Sequence, residues 1–236
     1  MVTTFACSFC LAFALTASAP PQPAPLRQPP QVRPPERATL LDRFFAPDEN
    51  PLVQYRALRR LTASTRGGHL SATMDVWTTL DPVHGFTFQV VSESGSPLIR
   101  RKVLLAALEA EQKSQTVSDR EQAALTAANY EFQNVGTATQ HIVKVDLQPR
   151  RKHVMRVNGS IFLEEESADL VRIEGELSKR PSFWTRRVQI LREYSRIDGV
   201  HVPVAMHSTA DVLVVGASSF SMTYTYAEIN GQTVHH

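Results

Sequence analysis

Cysteine is nearly absent from this sequence: Cys7 and Cys10 are the only two, both close to the N-terminus. Everything after them is free of thiols, which excludes disulfides, thiolate catalysis and cysteine-ligated metal from the rest of the chain. An excess of one charge is missing too. Lys and Arg number 25 against 23 Asp and Glu, and a formal net charge of +2 does not make the broad basic field that nucleic-acid binding calls on. Only one apolar run is long, "FACSFCLAFALTASA" from Phe5 to Ala19, and it falls short of the roughly 20 residues of a membrane-spanning helix. It ends in small residues with Ala17 and Ala19 in the A-x-A relation, so residues 1–19 read as a cleaved secretion signal. Neither "TFAC" nor "CSFC" has the small and aliphatic residues that precede a lipid-attachment cysteine. The exported product is expected free in the periplasm, without a lipid anchor and without redox dependence.

Catalytic signatures are lacking as well. "VGASSF" and "ESGSP" miss the second glycine of a nucleophile elbow, and no H-E-x-x-H occurs among the eight histidines. His201 and His207 would share a face of a straight strand but lie roughly 20 Å apart, too far for a common metal. Glu164 to Glu166 read as a turn. The chain is therefore read as non-enzymatic, with no cofactor.

Proline is abundant in one place. "PPQPAPLRQPPQVRPPER", Pro20 to Arg37, holds eight of the fifteen prolines, and such a stretch favours extended spacer geometry over core formation. Residues 20–37 are expected to be a linker, followed by a single domain over 38–236, long enough to bury a sizeable core.

Inside that domain, "NPLVQYRALRRLTAST" has Asn50 as an N-cap, Pro51 at the first helical position, and Leu52, Tyr55, Leu58 and Leu61 three apart, which predicts an amphipathic helix. "GHLSATMDVWTTLDP" switches to period two, with Leu70, Ala72, Met74 and Val76 on one face. "GFTFQVVSE" puts Phe86, Phe88 and Val90 together as a second strand. Ser96 and Pro97 open a helix in "PLIRRKVLLAALEAEQK", and Ser118 with Glu121 offers a capping box before a short Ala-rich helix. From residue 129 onward, strand patterns follow one another with short turns, so neighbours are expected to pair as hairpins, most clearly at Asp198-Gly199. The class implied is α+β, a strongly twisted antiparallel sheet with helices over one face.

The hairpin "YSRIDGVHVPVAM", the meander before it, "LSATMDVW", and above all "VRIEGELSKRPSFWTRRVQILREYSRIDGVHVPV" resemble the LolA/LolB-like outer-membrane lipoprotein-sorting family. The likeness runs from about residue 50 onward. It implies a strongly curved antiparallel sheet, an incomplete barrel covered on its concave side by a few helices, with an apolar cavity that takes lipoprotein acyl chains in the characterised carriers. The arginine that holds the carrier's lid shut is assigned to no position here.

Two sets of residues are candidates for binding. Phe220, Met222, Tyr224 and Tyr226 alternate with Ser219, Ser221, Thr223 and Thr225. With Met74, Val76, Phe86 and Phe88 they would form an adaptable apolar wall for an acyl chain, or else a packed core. Between Arg172 and Arg196, seven basic residues face three glutamates. This is either a solvated strand face with cross-strand Arg–Glu pairs or a docking patch around Trp184, Arg186 and Arg187. The expected function is a periplasmic, monomeric binder or carrier of a lipid or acylated protein. The alternative is a regulatory or scaffold module that binds another envelope protein through its surface, as RseB-type sensors of this fold do; the short stretch after Tyr226 favours the small binder.

Overall fold

A computed structural model describes residues 39–65, 68–113, 121–180, 185–212 and 216–235, and among these an open antiparallel sheet of 11 strands dominates. The expected signal peptide (1–19) and proline-rich linker (20–37) lie outside the described residues, as do Ser118 of the capping box, Pro181 and Trp184. No described helix is long and apolar enough to cross a membrane.

The strands are β1 (Tyr55–Thr65), β2 (Leu70–Asp81), β3 (Gly85–Gly95), β4 (Tyr130–Thr139), β5 (Ile142–Pro149), β6 (Val157–Glu164), β7 (Leu170–Leu177), β8 (Thr185–Ile197), β9 (Val200–Val212), β10 (Gly216–Ile229) and the short β11 (Gln232–Thr233). Their order is β3-β2-β1-β10-β9-β8-β7-β6-β5-β4, with β11 beside β10. Two meanders are thus joined side by side through β1 and β10, while the chain itself passes from edge strand β3 to the opposite edge β4. That passage carries a helical run made of α1 (Pro97–Ile99), a π-helical stretch (Arg100–Leu105) and α2 (Ala106–Lys113). Ile99, Leu104 and Leu108 of this run pack on Leu61, Ala63, Ala72, Met74, Val76, Phe86 and Met222 of the sheet. Ser96 stands at the expected N-cap with Pro97 at the first helical position, although its hydroxyl makes no capping hydrogen bond.

The expected helix at Asn50–Thr65 is a strand. Tyr55, Ala57, Arg59, Leu61, Ala63 and Thr65 alternate inward as β1, paired on both sides by β2 and β10. The period-two signal is hidden because an arginine occupies a buried place in it, which leaves the three-residue spacing of Tyr55, Leu58 and Leu61 as the visible pattern. Pairing along both edges outweighs the helix propensity of "RALRRL". Asn50 and Pro51 cap no helix. Instead Asn230 clamps this approach segment, its Oδ1 accepting from Val53 N (2.9 Å) and its Nδ2 donating to the Pro51 carbonyl (2.9 Å).

The Asp198–Gly199 turn is a two-residue hairpin between Ile197 and Val200 with φ of 47° and 79°, the left-handed conformation that glycine and aspartate tolerate best. A short helix outside the sequence-based expectation, Leu40–Phe44, begins with a reciprocal Thr39–Asp42 cap. It lays Leu40, Leu41 and Phe44 against a second cluster built on Tyr130, Val145, Leu147, Ile161, Leu163 and Ile173. Arg43 ties it to the β6–β7 turn by donating to the carbonyls of Glu165 and Glu166.

Next to that turn, Arg196 Nε donates to Asp169 Oδ2 (2.7 Å) and its Nη1 to the Gly199 carbonyl (2.7 Å), which links β7 to the β8–β9 hairpin. The Arg196 hydrogen bonds hold the Asp169 carboxyl below its ordinary 3.8, against the opposite push of burial. A carboxyl depressed in this way adds stability that is complete above the unfolded value and lost as pH falls through the folded one. Asp169→Asn is therefore expected to lower the thermal midpoint at neutral pH and to converge on wild type in strong acid, below 3.8. Calorimetric midpoints across that range check it, and parallel pH profiles would contradict it.

Candidate functional site

Strand alternation and register bring the expected wall residues together around β1. Leu61 stands between Met74 and Met222, Arg59 between Val76 and Tyr224, Ala63 beside Phe220, and Ala57 beside Tyr226, while Phe86 and Phe88 pair with Leu80 and Thr78. Met74, Val76, Phe86 and Met222 are at most 7% exposed and form one cluster with the helical run, and Phe88, Phe220 and Tyr224 pack against it. Tyr226 belongs to a third cluster with Tyr55, Val200, Val202 and Ile229. Its ring stacks on Tyr224 at 6.0 Å, and its hydroxyl donates to the Pro203 carbonyl (2.7 Å). Each fully buried apolar side chain here contributes roughly 1.5–3 kcal/mol.

At the centre of the wall sits a charge. Arg59 is 1% exposed, and its guanidinium forks onto the Glu111 carboxylate of α2, Nη1 to Oε2 at 2.6 Å and Nη2 to Oε1 at 3.0 Å. Nη2 also donates to the Tyr55 hydroxyl, and the rings of Tyr224 and Phe86 lie 4.5 and 4.9 Å from the guanidinium carbon. Burial opposes the charge, yet the interactions around it, with the Glu111 carboxylate as the ionised partner, outweigh that cost and hold Arg59 protonated. Burial likewise pushes the Tyr224 and Tyr226 phenols up, so both remain neutral hydroxyls. Sequence reasoning missed Arg59, and a charged residue inside an inward alternation was the available signal.

Past Arg59 toward the far end of the same face, the packing opens. A cavity of about 390 Å³ lies between the helical run and the sheet, bounded by Ile99 and Val103 on one side and Ala63, Ala210, Val212 and Phe220 on the other. Register explains the space. Thr65, Ser218 and Ala210 form one cross-strand row of small side chains facing Leu98, Ile99, Lys102 and Val103 of the helical run, and the Thr65 and Ser218 hydroxyls hydrogen-bond each other (2.9 Å). Of the eight expected wall residues, Phe220 alone lines this cavity. The missed signal was the run of small residues, Ser208 and Ala210, in β9.

The expected docking patch is divided. Trp184 lies outside the described residues, Arg186 is exposed, and Arg187 pairs across to Glu176 on β7 (3.3 Å). Arg172 pairs with Glu174 on its own strand (3.3 Å), and exposed pairs of this kind contribute little stability. A second hollow, about 420 Å³ under the Leu40–Phe44 helix, is lined by Asp48, Asp169, Arg196 and His201. Asp48 and Asp169 both engage Arg196, and His201 Nε2 meets the Leu170 carbonyl at 2.6 Å. No metal-competent group of His, Asp and Glu occurs among the described residues. Compared with models of known protein families and with curated proteins, the chain finds no match.

Proposed function

We propose that this chain is a LolA/LolB-like binder or carrier of a lipid or acylated protein in the bacterial periplasm, exported by its N-terminal signal. In this reading the sheet curves around the helical run as an incomplete barrel, the run covers its concave side as a lid, and the Arg59–Glu111 fork holds that lid down. The observation that carries the reading is the apolar cavity at Phe220. About 390 Å³ of space lies between lid and wall, within the roughly 300–1,000 Å³ of small-molecule sites and at their small end. Flexible or small side chains around it suit an acyl chain, which needs adaptable apolar contact and few polar partners.

A fluorescent fatty-acyl probe tests this on two variants. Ala210→Phe fills the open end and is expected to weaken probe binding at least about tenfold, the loss of one well-buried apolar contact region, with little change in the unfolding midpoint. Met222→Trp overfills a place that is already packed, and is expected to cost about 1–3 kcal/mol of stability. Absence of saturable probe binding to the wild-type protein would overturn the reading. Equal effects of the two variants on the probe would place the site elsewhere on the wall.

A further inference from the structure

Among the described residues, one charged side chain lines the apolar cavity, and it is a cation. Lys102, on the π-helical stretch, stands at the cavity's edge one turn from Leu98, a leucine left 57% exposed. No carboxylate lines the cavity among the described residues. Glu93, which reaches this helical run from β3, pairs with Arg100. Of the hydroxyls that line the cavity, those of Thr65 and Ser218 hydrogen-bond each other, as do those of Ser64 and Ser219. The site therefore has an apolar interior, an exposed apolar step and a cation at its mouth.

We propose that Lys102 is a specificity-determining residue and that the cavity takes a single-chain amphiphile with an anionic head, a carboxylate or a phosphate. This inference rests on the acyl-binding reading above and deepens it. The cavity's small volume suits one chain, with the tail under Ile99 and Val103 and the head held at the rim beside the ammonium. An ammonium on a flexible stem recognises either head as a point charge, without the planar fork that would select a carboxylate.

Titration of the purified chain with four dodecyl compounds separates the possibilities: dodecanoate, dodecyl phosphate, dodecanol and dodecyltrimethylammonium, each below its micellar concentration. The two anions are expected to bind about fivefold tighter than dodecanol at low salt, the scale of one exposed ion pair, with the difference shrinking as salt is added. Lys102→Gln is expected to remove that preference, and Lys102→Glu to transfer it to the trimethylammonium compound. Arg101→Glu makes the same charge change on the neighbouring residue, away from the cavity lining, and is expected to leave most of the anion preference in place. The relative affinities of dodecanoate and dodecyl phosphate distinguish a free fatty acid from a phospholipid-derived ligand. If all four bind alike, or if Lys102→Glu leaves their order unchanged, the role of Lys102 is overturned while the cavity stands. If none binds saturably, the acyl-binding reading falls with it.

Discussion

Replacing Arg59 with alanine is expected to lower the unfolding free energy by about 3 kcal/mol, the low end for breaking a buried ion pair. The low end applies because Glu111 is 32% exposed and within reach of water, whereas Arg59 is 1% exposed. The loss also removes the guanidinium from between the Tyr224, Phe86 and Tyr55 rings, and three elements lose a common point of attachment. Glu111→Gln is expected to cost a comparable amount for the opposite reason, since it leaves the arginine charged and buried. Denaturant unfolding of both variants and of the double variant measures the coupling. Amide exchange over Ala106–Lys113 is expected to quicken in each single variant, because the fork is what fastens α2 to β1. Changes below about 0.5 kcal/mol, as for an exposed pair, would show that the fork holds nothing down.

Gly175→Val is expected to cost about 4 kcal/mol or to prevent folding. Gly175 on β7 faces Gly159 on β6, and a Cβ on Gly175 would lie 2.4 Å from the Asn158 carbonyl oxygen and 2.7 Å from the Gly159 Cα. A Cβ on Gly159 would lie 2.1 Å from the Glu174 carbonyl oxygen. These obstacles are backbone, so no rotamer change relieves them. The φ of 151° at Gly175 adds strain for any L side chain. The two strands would have to separate in the middle of the second cluster, where Ile161 and Ile173 pair directly beside the glycines. Gly175→Ala is expected to show the same effect at smaller size, and an unchanged midpoint for it would mean that the strands have room to part.

Much of this architecture was legible in the residues. From β4 onward the strands fall on the segments whose composition reads as strand, and the Asp198–Gly199 turn carries its own conformational signature. The helical run from Pro97 has a proline start and an apolar stripe, and the stripes of β2, β3 and β10 predicted which side chains share a face. These are local properties, set by the two-residue period of a strand, the bulk of neighbouring side chains and the φ range of turn residues. What they cannot carry is pairing between distant segments. The strand character of Tyr55–Thr65 depends on β2 and on β10, which lies more than a hundred residues away in sequence, and no local propensity in "RALRRL" reflects those two partners. Arg59 is tolerable inside only because Glu111, Tyr55 and Tyr224 converge on it from three elements. The cavity exists only because small residues of β1, β9 and β10 fall into register under the first turns of the helical run. Which apolar residues face inward is thus a property of the chain itself, while filled core and open space are decided where long-range register sets side-chain volumes against one another.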